Sequence, residues 1–193
     1  MSQFVNPRKP ESDVHPQFVD RWSPRSFDET VLVTRNQIDS VLEAARWAPS
    51  CFNEQPWRIF VAAKPSAMFD KFLGALVEKN QCWAKSASAL MFIACSLTFK
   101  RNNKPNNWAE FDTGSAWISM ALQAQVLGLH MHAMAGFDTE KAHQVLEKPT
   151  SEMKIIAAAA LGKKAVLPHE DYADEAPNDR MAKEEFAKIF VQP

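Results

Sequence analysis

Residues 44–58, AARWAPSCFNEQPWR, pass from an apolar helical pattern through a small, amide-rich loop into a strand, with Pro49 and Pro56 punctuating the loop. Pro49 cannot continue a helix, and Pro56 bounds the strand that follows, so the corner falls at residues 49–55. Upstream, Thr34 and Gln37 have capping-box spacing, and Ile38, Val41, Leu42 and Ala45 follow at helical intervals. This predicts a helix over 34–47, and Trp57 to Ala62, closed off by Pro65, predicts the first strand. Ser50, Asn53 and Gln55 at the corner are polar groups of the kind that orient a planar heterocycle. The same amides equally suit ordinary turn chemistry.

A second short segment has its own logic. Arg21, Ser23 and Arg25 stand at alternate positions, so an extended stretch aims two guanidiniums and a hydroxyl to one side, where a phosphate could sit. Arginine suits that task because its planar fork donates bidentately and stays charged. Taken alone, the charge spacing describes a solvated loop just as well. Phosphate end and heterocycle corner together suggest a flavin site.

The remaining elements are read from periodicity. A helix is expected over 66–78, a buried strand over 89–96, a polar loop over 100–107, and a helix apolar nearly all round over 116–127. Such a helix is expected at a domain centre or an oligomer axis. Gly128 ends it, a strand follows over 130–135, and Asp138 caps a helix to about residue 147. A fourth strand over 153–161 and an amphipathic helix over 180–191, with Met181, Phe186, Ile189 and Phe190, complete the reading.

At 193 residues the chain is expected to form a polar N-terminal arm, 1–16, and one domain, 17–193, which buries roughly 70% of its unfolded surface. Lys plus Arg is 22 against Asp plus Glu at 23, which gives no overall basic field to attract nucleic acid or anionic membrane. Cys51, Cys82 and Cys95 are odd in number and scattered. With no apolar secretion signal in the arm and no membrane-length apolar run, the expected compartment is the cytoplasm.

At this point the residues resemble the FMN-dependent nitroreductases. Arg21-x-Ser23-x-Arg25 is similar to that family's phosphate-end motif, residues 44–57 to its AARWAPSxxNxQPW segment, and residues 127–138 to its central helix-strand-loop. The resemblance implies an α+β fold, a central mostly antiparallel sheet flanked by helices, working as an intertwined homodimer with FMN at the interface. It implies that Arg21 and Ser23 hold the phosphate, with Arg180 as a second contact, and that Arg25 lies near the pyrimidine edge. Pro49, Ser50, Cys51 and Asn53 then reach the flavin bound mainly by the other subunit, with Gln55 in the same loop. Asn80 hydrogen-bonds the ring, and the backbone of Ala135 and Gly136 approaches flavin N5.

The implied activity takes hydride from NADH or NADPH and reduces nitroaromatics, quinones or another small acceptor in a ping-pong cycle, with no catalytic acid or base. A flavin-binding sensor or store with little turnover is the alternative, as is another reaction on the same fold: reductive dehalogenation, ene reduction or dehydrogenation. A plain α+β binding domain without flavin is a third reading. The chain departs from the family pattern at Ala135, where an acidic residue or glycine often stands, and at Cys51, often serine. Its short stretch from residue 100 to 108 lacks the helices that cover the substrate side in many relatives. That predicts an open pocket with Trp108 and Phe111 as wall candidates.

The other candidates have plainer readings. Trp47, Trp57, Trp83 and Trp117 are expected in core or dimer packing. His130 and His132 share one face of a strand, but two ligands are too few for a typical zinc site. Cys51 is expected to pack as a serine-sized residue, although nearby arginines would favour a reactive thiol. Asp171, Asp174, Glu175 and Asp179 are expected to form a solvated acidic loop.

Overall fold

Each apolar run of strand length becomes a strand of one sheet. The computed structural model describes residues 6–173 and 175–188. Strands β1 (Trp57–Ala63), β2 (Ala89–Ser96), β3 (His130–Met134) and β4 (Met153–Gly162) lie in the order β1-β2-β4-β3, every neighbouring pair antiparallel. The helices are α1 (Pro16–Asp20), α2 (Arg35–Arg46), α3 (Ala67–Gly74), α4 (Glu78–Ala84), α5 (Ala109–Val126), α6 (Thr139–Leu146) and α7 (Lys183–Phe186).

Central β2 is apolar throughout its buried length because helices cover both faces of the sheet. Leu90, Phe92 and Ala94 pack with Phe69, Phe72 and Trp83 of α3 and α4 on one face. On the other, Met91 and Ile93 pack with Val41 of α2 and Met120 of α5. The alanines of β4 alternate in the same way, Ala158 and Ala160 toward the first cluster and Ala159 toward the second. A register shift opposite Ile93 and Ala94 leaves Ile156 without a paired partner, a bulge that bends the strand locally.

Helix α2 matches its sequence signature. Thr34 Oγ1 accepts from the Gln37 amide at 3.2 Å, and Gln37 Oε1 accepts from the Thr34 amide at 2.9 Å. Asp138 likewise caps α6, accepting from the Lys141 amide at 3.0 Å.

Several elements differ from the sequence reading. The helix expected over 66–78 ends at Gly74, because Leu76 pairs with Phe137 and the Val77 amide donates to the Gly136 carbonyl at 3.1 Å. Helix α4, which the sequence reading did not anticipate, then starts at Glu78. Helix α5 begins at Ala109 rather than 116, since Glu110, Asp112 and Thr113 masked its first turns. It buries one broad face through Ala116, Met120, Ala121 and Ala124, while Ile118 and Val126 stay exposed because α2 covers only one side.

The final helix spans only Lys183–Phe186 among the described residues, with Ile189, Phe190 and Val191 outside them. Its expected start is extended instead, as the Arg180 guanidinium folds back onto the carbonyls of Asn178 and Asp179 at 3.0 Å. Trp47 does not enter the core: it is 74% exposed, its indole N–H donates to Glu43 at 2.8 Å, and the Arg46 guanidinium lies over the ring. Trp83 is buried, and Trp57 and Trp117 pack half-buried beside α2 and α5.

Replacing Thr34 with alanine removes one half of the α2 capping pair. Urea denaturation is expected to show a loss of about 1 kcal/mol with an unchanged slope, the usual cost of a lost N-cap.

Candidate active site

The alternation in residues 21–26 is fixed by what lies beneath it. Trp22, Pro24 and Ser26 are buried, and Trp22 meets His130 of β3 edge-on at 6.4 Å between ring centroids. Phe27 bridges to Lys164, the Asp28 amide donates to the Lys163 carbonyl at 2.8 Å, and the Ala165 amide to the Ser26 carbonyl at 3.0 Å. With the even-numbered side chains turned inward, Arg21, Ser23 and Arg25 line a cavity of about 530 Å³ together with Arg8, His132, Tyr172 and Arg180.

Arg8 had no signal in the sequence, since it lies in the polar arm with no motif around it. It donates to the carbonyls of Val19 and Arg21 at 2.8 Å, and to that of Asn178 at 2.8 Å, so it ties the arm to α1 and the C-terminal segment. Arg21 touches Ser23 Oγ at 3.3 Å. Burial holds the Arg8 and Arg21 guanidiniums below their ordinary value, and repulsion from Arg180 pushes both further down. Arg8, Arg21 and Arg180 form no ion pair among the described residues. Asp20 and Asp179 attract Arg8 from a distance, and Glu170, Asp171 and Glu175 also line the cavity, yet the clustered guanidiniums still repel one another, an arrangement that suits an anionic ligand.

Arg25 is placed differently. Its amide donates to both oxygens of Glu175, at 2.8 and 2.7 Å, and its guanidinium lies 3.5 Å from the same carboxylate and 5.9 Å from the Tyr172 ring centroid. The Glu175 side chain is only 9% exposed, and burial raises its pKa. The acidic stretch is therefore not wholly solvated, because Glu175 folds in to cap the Arg25 backbone. Asp174 lies outside the described residues.

Asn80 and Gly136 form a second unit. Asn80 Nδ2 donates to the Gly136 carbonyl at 2.9 Å, and the Trp83 indole N–H donates to Asn80 Oδ1 at 3.3 Å. A Cβ at position 136 would lie 2.5 Å from Asn80 Nδ2 and 2.8 Å from Val77 Cγ2, so any other residue there would have to displace the Asn80 amide that holds the Gly136 carbonyl. Neighbouring Ala135 is exposed, and the Gly136 N–H has no acceptor among the described residues. Trp83 also packs on His132, with centroids 4.6 Å apart, which links this unit to the arginine cavity.

Residues 49–55 form the corner expected from their prolines. Phe52, Asn53 and Gln55 have φ of 54°, 55° and 53°, left-handed backbone that is uncommon for a bulky residue such as phenylalanine. The turn is held by Ser50 Oγ, which accepts from the Gln55 amide at 3.0 Å, and by Gln55 Nε2, which donates to the Asn53 carbonyl at 3.0 Å. Asp112 of α5, 4% exposed, accepts from the Cys51 amide at 3.0 Å. No sequence motif marked Asp112. A cavity of about 310 Å³ lies here, lined by Pro49, Ser50, Cys51, Trp108, Phe111 and Asp112. Within one chain this cavity and the arginine cavity share no lining residue.

His130 and His132 do not act as a pair. His132 Nδ1 contacts the Pro24 carbonyl at 3.0 Å and faces the cavity, whereas His130 packs against Trp22. Among the described residues no three metal-binding side chains cluster.

Sheet order, two helical layers and an arginine-lined cavity beside edge strand β3 define an α+β protein with an anion-sized site at the sheet margin. The sequence profile of the nitroreductase family matches residues 19–81 and 63–163, and the chain belongs to that family. It is similar to the crystal structure of an oxidoreductase containing FMN, with 36% identity and a TM-score of 0.89 over 96% of each chain. The oxygen-insensitive NADPH nitroreductase of Helicobacter pylori is 24% identical over 180 residues, covering 75% of this chain and 84% of that one. The CLA biosynthesis enone reductase of Lactiplantibacillus plantarum is 35% identical over 83 residues, 43% of this chain and 38% of that one.

His130 gives a pH signature. Burial first, then Lys164 and Arg21, depress its pKa from 6.5 to about 4, and its buried Nδ1 has no hydrogen-bond partner. Because the folded value lies below the unfolded one, the unfolded chain takes up the proton first as pH falls. The stability contributed by neutral His130 is complete above pH 6.5 and is lost as pH falls toward about 4. Urea midpoints measured across that window are expected to fall less steeply in His130→Phe than in the parent.

Proposed function

We propose that this protein is an FMN-dependent oxidoreductase that takes hydride from NADH or NADPH and passes reducing equivalents to nitroaromatics, quinones or another small conjugated acceptor. The carrying observation is the convergence of Arg8, Arg21 and Arg180, without ion-pair partners among the described residues, beside Ser23. Family membership and the FMN of the 36%-identical relative support the same cofactor.

In this reading Arg21, Ser23, Arg180 and Arg8 hold the FMN phosphate, and Arg25, steadied by Glu175, stands near the pyrimidine edge. Bound FMN supplies a ring that accepts hydride and gives it up to an oxidant. The protein positions that ring. Asn80 would orient it, and the Gly136 N–H, whose own carbonyl is held by the Asn80 side chain and the Val77 amide, would serve the ring nitrogen that takes hydride. A positive side chain beside the pyrimidine edge favours the reduced ring electrostatically. No side-chain acid or base is required, which fits a ping-pong exchange over one exposed ring face. An open face also admits conjugated carbonyl compounds, in keeping with the enone reductase among the relatives.

The working unit is a homodimer of the 17–193 domain, with 1–16 as its arm and the cytoplasm as its compartment. In it Pro49, Ser50, Cys51 and Asn53 complete the flavin site of the partner, which accounts for a loop cavity that shares no lining residue with the arginine cavity in the single chain. Exposed Ile118, Val126 and Phe18 supply apolar surface for that contact. Among the described residues no helix is long and apolar enough to cross a membrane.

The deciding experiment is the visible spectrum of the purified protein during anaerobic addition of NADH or NADPH. Flavin bands that bleach, and return with an acceptor, are the expected result; bands that persist indicate a flavin binder with little turnover, and no bands after FMN addition overturn the assignment. Arg21→Ala is expected to weaken FMN binding by about 1.5–3 kcal/mol in a fluorescence titration, the scale of a charge-assisted hydrogen bond. Light scattering should give twice the 21.8 kDa subunit mass.

A further inference from the structure

The corner loop carries a feature that FMN binding does not use. Phe52 is 71% exposed, and the guanidinium of Arg101 lies 3.9 Å from its ring centroid and 5.3 Å from that of Phe99. The two rings meet edge-on at 78°, so Arg101 rests against an aromatic angle. Its turn is firmly built: Thr98 bridges to Pro105, the Phe99 amide donates to the Lys104 carbonyl at 2.9 Å, and the Asn103 amide to the Phe99 carbonyl at 2.8 Å. Lys100 and Lys104 flank Arg101 in this turn. The nearby carboxylate of Glu54 is engaged by the Lys100 amide at 2.8 Å. Among the described residues, Lys100, Arg101 and Lys104 form no ion pair.

A guanidinium resting on an aromatic ring can still offer a face to a second planar ring and N–H groups to an oxyanion. Adenine bearing a phosphate on its ribose presents that combination. Phe52 belongs to the same 3₁₀ turn, Cys51–Asn53, as Cys51, which lines the cavity beside Trp108 and Phe111. Phe52 thereby ties Arg101 to the turn that borders this cavity, and a dinucleotide with its nicotinamide in the cavity would run its adenosine end outward past that turn.

Resting on the proposed function, we propose that Arg101, stacked on Phe52 and flanked by Lys100 and Lys104, binds the 2′-phosphate of NADPH and makes NADPH the preferred hydride donor over NADH. The two donors differ only in that phosphate, so its binding group discriminates through binding and leaves hydride transfer itself alone.

The test compares kcat/KM for NADPH and NADH in the parent, Arg101→Ala, Arg101→Lys and Lys104→Ala, all loaded with FMN. Calorimetric titration with adenosine 2′,5′-bisphosphate and with adenosine 5′-monophosphate gives a readout independent of turnover. The expected parent prefers NADPH by about tenfold or more, the scale of one charge-assisted contact. In Arg101→Ala that ratio collapses and the bisphosphate loses its advantage over the monophosphate, whereas Arg101→Lys retains part of both. An unchanged ratio in Arg101→Ala, with flavin still bleached by either donor, overturns this inference and leaves the proposed function standing. Flavin bleached by neither donor overturns the proposed function instead, and the two adenosine titrations then decide whether Arg101 binds a ribose phosphate.

Discussion

Backbone hydrogen bonds between residues 26–28 and the chain leaving β4 decide where the charge of this protein is concentrated. The Phe27–Lys164 bridge anchors an otherwise irregular N-terminal stretch to the end of a central strand, and burial of Trp22 and Pro24 sets its facing. Shifting that stretch by one residue would bury two guanidiniums and expose an indole, so the register is strongly enforced. Everything at the arginine cavity depends on it. Arg8 reaches the site only because the carbonyls of Val19 and Arg21 are held where it can donate to them.

The cavity gathers Arg8, Arg21, Arg25 and Arg180 against Glu170, Asp171 and Glu175, with the arginines crowded together. Arg8, Arg21 and Arg180 repel one another, and two histidines nearby are held neutral by burial rather than adding to the charge. An anionic ligand bound there would relieve that repulsion and so couple its binding to local stability. Glu175 does not neutralise the cluster, since it sits on the Arg25 amide at the other end of the cavity.

The second half of the site is built from backbone rather than charge. Gly136 is pressed closely by Asn80 and Val77, whose side chains would have to shift to admit a Cβ, and its N–H has no acceptor among the described residues. At the corner, Asp112 holds the Cys51 amide while three residues take left-handed φ. Both are close backbone approaches of the kind that fix a flat ring without side-chain chemistry.

Much of this was legible in the residues. Prolines 49 and 56, the Thr34 and Gln37 cap and the continuous apolar run of β2 act through local sterics and burial periodicity, so they specify the corner, α2 and the central strand unaided. The alternation of Arg21, Ser23 and Arg25 was legible for the same reason, and family motifs pointed to their role. Arg8 and Asp112 were not, because each acts through a contact with residues distant in the chain. The early end of α3 depends on Leu76 pairing with Phe137, which local pattern does not encode. By itself the sequence determined the four strands, helix α2, the capped start of α6 and the set of cations and amides at hand. Tertiary structure alone decided which cations share one cavity and which loop stands apart from it, because convergence of like charges is enforced by long-range backbone pairing and core burial.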